Sequence, residues 1–345
     1  VNYNAIMKTF VLLLVLSTPA FPQWIKQNVN TTASLRGLSV VNEKVVWASG
    51  TDGTVIRTID GGKTWNVMTV AGAEKLDFRD IEAFDANTAY ILSIGNGESS
   101  RIYKTVDGGK TWNLQFKNTN EKAFFDAIAC WSRKDCVAIS DSIGGTFPFV
   151  FTSNGGLTWQ VRGMQGHRRE DIVPASEGEA AFAASGSCLI ATPKRSIFFV
   201  TGGSATRVYR TYHDYFPQMW FVEDAPIIKG SSGSGIFSIA MADEKNGVVV
   251  GGNYEKPSDV IDNLAFTNDG GVTWTLRSGL SGYRSAVTYI DKNTIIAVGT
   301  NGSDISRDQG KTWNKVGDEN LNAVSAKGNR AVWAAGPKGL VVKMK

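Results

Sequence analysis

Asp60, Asp107, Asn154, Asp269 and Asp308 hold one position in five related octapeptides: TIDGGKTW, TVDGGKTW, TSNGGLTW, TNDGGVTW and SRDQGKTW. A carboxylate flanked by hydroxyls could work as a general acid or base. Recurrence argues against that use, because active-site groups converge on one point and these residues come back at intervals along the chain. The same residues suit a turn. Asp60 can accept hydrogen bonds from its own backbone, Gly61 and Gly62 permit positive φ, and Thr64 can bond back to the turn. Trp65, Trp112, Trp159, Trp274 and Trp313 end the octapeptides and can pack between neighbouring sheets. The phrase reads as a device of the fold.

The first three octapeptides start 47 residues apart, the next gap is 115, and the last is 39. Such periods, with four short strands in each unit, mark a β-propeller. In the first unit LRGLSVV, VVWASG, VIRTI and WNVMTV are β-branched or aromatic runs separated by turn residues. These are strands A to D, with the octapeptide between C and D. Later units are expected at about 78–118, 124–163, 180–227, 236–280 and 283–318. In the fourth unit YHDYFPQMW replaces the octapeptide. The C-terminal segment supplies A, B and C but no D, and QWIKQNV at 23–29 can supply the missing strand. The expected fold is all-β, a seven-bladed propeller over 21–345, closed by an N-terminal strand that completes the last blade and leaves no open seam.

The pattern T/S-x-D-x-G-x-T-W resembles the Asp-box, or bacterial neuraminidase repeat. That repeat occurs in sialidases, two-propeller xyloglucanases, the sortilin ectodomain and the photosystem II stability/assembly factor family. SLRGLSVVNEKVVWASGTDGTVIRTIDGGKTW at 34–65, read with FRDI at 78 and the seven-unit layout, most resembles the assembly-factor family and its bacterial homologues. That resemblance extends over essentially the whole mature chain. It implies a binding propeller that assists assembly or stability of an envelope or membrane complex; the motif itself specifies fold and no reaction.

In a propeller the A–B and C–D turns share one face, so the boxes lie opposite the B–C loops. Those loops are long in units two, three and five, and long irregular loops on a rigid scaffold are where function concentrates. Aligning the A strands places Arg36, Arg79, Asp126, Cys188, Phe237, Arg284 and Asn322 at one position near the central mouth. Arg36, Arg79 and Arg284 would then cluster, with Asp126, Asp141 and Tyr254 nearby as further partner-binding candidates. Clustered guanidinium groups suit an acidic peptide or an acidic glycan. The alternative is that each arginine pairs with a local acid such as Asp80. The segment 166–179 either reaches this face or is a solvated connection.

A glycoside hydrolase, sialidase-like or of another Asp-box type, is the competing reading. It needs two carboxylates about 5–10 Å apart, and Asp80, Asp126, Asp141, Glu177 and Asp259 are its candidates. Against it, LRGL stands where sialidases carry Arg-Ile-Pro, those enzymes have six blades, and xyloglucanases need two propellers. With two histidines, His167 and His213, a His-rich metal site is excluded. No metal site or cofactor is expected, and neither is nucleic acid, because a net charge of +4 comes without a dense basic block. A monomer is expected.

Met7-Lys8, the apolar run TFVLLLVLS and the TPA ending at Ala20 read as a signal peptide over 1–20, with Met7 as initiator. The mature chain then begins near Phe21, is periplasmic or secreted, and has no transmembrane segment. Export permits a Cys130–Cys136 disulfide across WSRKD, the alternative being two unpaired thiols. Cys188 is left as a buried free thiol.

Overall fold

The computed structural model describes residues 23–164, 166, 172–211 and 219–345. The expected signal peptide, the Phe21 start, both histidines and most of YHDYFPQMW lie outside the described residues. Seven sheets form the blades of a propeller, each with antiparallel strands A to D, and the blade-five sheet is extended beside its strand A by Gly202–Gly203 and Glu179–Ala180. Blade one comprises Leu35–Val40, Val46–Gly50, Thr54–Thr58 and Asn66–Thr69. Strands B are buried almost throughout, whereas strands D lie largely exposed at the rim. The core is therefore not one centre but a series of apolar layers, each shared by adjacent blades.

Blade seven takes strands A to C from Ala323–Ala326, Val332–Ala335 and Val341–Met344, and strand D from Trp24–Lys26. Trp24 pairs with Met344 and Lys26 with Val342. The Trp24 indole is buried against blade six, where its N–H donates to Ser303 Oγ at 2.8 Å. No helix among the described residues is long and apolar enough to cross a membrane.

Each box is a closed local network. Thr64 donates to Asp60 from its backbone N–H at 3.0 Å and from its hydroxyl at 2.6 Å, and the Gly62 N–H donates to Thr58 Oγ1 at 2.9 Å. Asp107, Asp269 and Asp308 repeat these bonds. Asn154 retains the geometry: its carbonyl oxygen accepts the Thr158 N–H and its amide donates to the Thr158 hydroxyl. Gly61 and Gly62 lie at φ 78° and 92°. The terminal tryptophans pack edge-on against the neighbouring blade, Trp65 on Trp333, Trp112 on Trp47 and Trp159 on Tyr90. In blade three a disulfide joins Cys130 to Cys136 across the A–B hairpin, and Cys188 is a buried free thiol.

Candidate functional site at the central mouth

Arg36, Arg79, Asp126 and Phe237 are each the extra residue of a β-bulge between strands A and B. A bulge inserts one unpaired residue and redirects its side chain. Here it turns one residue from each of four blades toward the central mouth, where Arg36 and Arg79 stay part-exposed and Asp126 and Phe237 are buried. Arg36 and Arg79 adjoin there. Burial and the neighbouring Arg79 charge lower the Arg36 pKa, partly countered by Tyr283 and Asp77. Arg79 pairs with Asp77 at 2.7 Å.

Arg284 is not part of this group. Its backbone N–H donates to Gly251 of the preceding blade, just as Leu35 donates to Gly336 and Leu321 to Gly299. Arg284 therefore occupies the slot of Leu35 and Leu321, and Ser285 is the counterpart of Arg36. The expected alignment was one residue out, and in a strand a one-residue slip moves a side chain to the opposite side. Arg284 is fully buried, donates from Nε to Asp304 at 2.8 Å, and further binds Ser281, Asn301 and the Tyr283 carbonyl. Burial lowers its pKa and Asp304 opposes that shift. A triple-arginine site is thereby corrected to a pair.

The mouth itself is filled by the chain. Residues 181–187, between blades three and four, dip across it. Arg79 donates to the Ala183 carbonyl at 3.2 Å and Arg36 to the Ala184 carbonyl at 3.0 Å. The Ala181 N–H donates to Asp141 at 2.9 Å, and Ser185 Oγ donates to the Ser285 carbonyl at 3.0 Å. Phe182 stacks on Phe237, with ring centroids 4.0 Å apart. Gly186 has φ 76°, and a β-carbon there would lie 2.2 Å from Asp80 Oδ1. Just upstream, Glu179 anchors the segment: its buried carboxylate accepts from Thr201, Tyr209, Arg207 and the Ser176 N–H. Sequence reading missed this plug. Its signal is the run AAFAASGS, small residues apart from Phe182, with glycine at the position where a β-carbon would overlap Asp80.

The plug sorts the candidate carboxylates. Asp80 is buried, accepts the Ile81 and Ile128 N–H groups, and is pushed up to about 7 by desolvation. Asp126 and Asp141 adjoin. Desolvation raises both, and the Asp141 charge adds to the rise at Asp126, against the pull of Arg79 and backbone N–H groups. Glu177 and Asp259 are exposed on separate loops. Of the five, Asp126 and Asp141 adjoin, and Asp80, Asp126 and Asp141 each meet the plug, at Gly186, Ala183 and Ala181 respectively. Beneath it a channel of about 320 Å³ runs toward the box face, lined by Ser39, Asp80, Glu82, Thr288 and Ser325 among others. Above it the surface presents Arg36, Arg79 and the half-exposed Tyr254, whose ring meets Phe237 edge-on at 6.2 Å. Among the described residues, no group of three or more His, Cys, Asp or Glu side chains is arranged to hold a metal.

A family profile described as "Photosynthesis system II assembly factor YCF48" matches residues 16–121, and one described as "BNR/Asp-box repeat" matches 304–315. A comparison with curated proteins finds no match. Among solved structures, "YCF48 bound to D1 peptide" is 18% identical, with 95% of this chain and 98% of that chain covered at a TM-score of 0.65. "YCF48 from Cyanidioschyzon merolae" is 16% identical over 93% and 98% of the two chains, with a TM-score of 0.66. "Structure of U3-55K" is 12% identical over 94% and 98%, with a TM-score of 0.59. The repeats, the seven blades and these likenesses agree: the chain is an Asp-box repeat β-propeller resembling the photosystem II assembly-factor family.

Proposed function

We propose that this protein is an exported, non-catalytic propeller that binds an acidic segment of a protein partner at its loop-bearing mouth and assists assembly or stability of an envelope or membrane complex. One observation carries the reading: Arg36 and Arg79 stand side by side at the rim, while Asp80, Asp126 and Asp141 are set against the chain's own plug. Each arginine gives one bond to a plug carbonyl and Arg79 a second to Asp77, which leaves further guanidinium donors on both for an incoming carboxylate. The structure titled "YCF48 bound to D1 peptide" adds support, since it places a peptide on a propeller of this architecture. Hydrolysis is disfavoured because Asp126 is buried and bonded by the Ala183 backbone.

The test is fluorescence anisotropy with a labelled hexaglutamate peptide. Binding should be lost in the Arg36→Ala/Arg79→Ala double variant, and Lys replacements should restore it only partly, because an ammonium lacks the planar fork. Binding unchanged in the double variant would refute the site. Turnover of aryl glycosides, sialosides or xyloglucan oligosaccharides that disappears in Asp126→Asn or Asp141→Asn would establish the hydrolase instead. Export is checked separately, by N-terminal sequencing of the mature protein, expected to begin at Phe21.

A further inference from the structure

On the opposite face, three blade junctions are sealed in one way. Across strands B and C, Trp47 pairs with Arg57, Tyr90 with Lys104, and Trp333 with Lys343. Each cation lies 5.0–5.1 Å from its ring centroid. Each also reaches the next blade, where the Ala86, Gly155 and Gly61 carbonyls accept from it. In blade five the corresponding pair is Val248 and Phe266. At its junction with blade six lies a cleft of about 740 Å³.

Three cations border this cleft: Arg277 on strand D of blade five, Lys292 in the A–B turn of blade six, and Lys311 in the blade-six box. All are exposed, and among the described residues none has an ion pair or a side-chain hydrogen bond. The acid on the lining, Asp243, is occupied by the N–H groups of Lys245 and Asn246 and by the Asn246 amide. The lining thus carries three cations against the one carboxylate of Asp243, a net positive field. Between the cations lie the rings of Phe266 and Tyr289 and the neutral polar side chains of Asn268, Thr275 and Ser278.

We propose that this cleft binds an acidic saccharide. A pyranose offers a C–H face to an aromatic ring and hydroxyls to amides and alcohols, and a uronate carboxylate suits Arg277 and the lysines. The cleft volume accommodates a short oligosaccharide. The site lies on the box face and shares no residue with the mouth, so it stands or falls independently of the partner-binding reading.

Isothermal titration calorimetry with trigalacturonate tests it, with maltotriose and an Asp-Glu hexapeptide as comparators. Trigalacturonate should bind, and maltotriose and the hexapeptide at least tenfold more weakly. The triple variant Arg277→Ala/Lys292→Ala/Lys311→Ala should lose at least tenfold in affinity with an unchanged melting temperature, since all three side chains are exposed. Asn268→Trp should block the cleft by bulk alone; the same box position holds Ile59 and Val106 elsewhere, so a large side chain is accommodated there. Absence of heat at millimolar trigalacturonate, equal binding of either comparator, or full affinity in both variants would each overturn the proposal.

Discussion

The carboxylates of the box face and those of the mouth belong to one chain and sit at opposite electrostatic extremes. Asp60, Asp107, Asp269 and Asp308 are held down at about 2, chiefly by the Thr hydroxyl and N–H four residues on. Asp80, Asp126 and Asp141 are all pushed up, with desolvation as the first cause in each. The first set recurs in sequence and answers only its own turn. The second set does not recur and answers neighbours from other blades. A motif that repeats around a ring stabilises the ring, whereas the singular residues give the mouth its properties.

The largest effect should come from the singular side. Asp304→Ala leaves the buried Arg284 guanidinium uncompensated, and unfolding in urea should show a loss of about 3–5 kcal/mol. Loss of under about 1 kcal/mol would mean that Arg284 finds water or another acceptor in a more open site. Trp24→Ala probes closure of the ring that holds both faces, and a loss of about 3–5 kcal/mol is expected from removal of a buried indole. An unchanged melting temperature would count against the closing strand.

Gly186→Val tests the plug. Its φ of 76° disfavours a branched side chain, and the β-carbon would overlap Asp80. A loss of about 1–3 kcal/mol is expected, together with weaker hexaglutamate binding as the Ala183 and Ala184 carbonyls shift. Tight binding in a destabilised protein would separate the plug from the arginine pair.

Titration sharpens the contrast by sign. Asp80 releases its proton near 3.8 in the unfolded chain and near 7 in the fold. Stability from this group is therefore present at low pH and declines as pH rises between those values, by up to about 1.4 kcal/mol per pH unit. Asp80→Asn should flatten that decline. The boxes act in the opposite direction: their contribution is present above the ordinary value of 3.8 and lost as pH falls through about 2. Asp60→Ala should give the smallest shift of the series. It should fade in acid, add to that of Asp308→Ala, and leave hexaglutamate binding intact. A loss of binding in Asp60→Ala without a loss of stability would dissolve the distinction between the two faces.

What the sequence determined by itself was whatever depends on near neighbours. An Asp that bonds a Thr four residues on, glycines with positive φ and a Trp at fixed spacing are complete within eight residues, so each copy could be read where it stands. Strand alternation and a count of A, B and C without D likewise implied the ring and the role of Trp24. Tertiary structure decided what depends on register and on convergence across blades. Arg284 looked equivalent to Arg36 until the inter-blade bond to Gly251 placed it one residue away, among buried positions. Asp80, Asp126 and Asp141 were open candidates for a carboxylate pair until the fold set them against residues 181–187. The plug could not be read in advance, because its partners Arg36, Arg79, Asp141 and Ser285 lie 40 to 148 residues away along the chain and meet it only when the ring is closed.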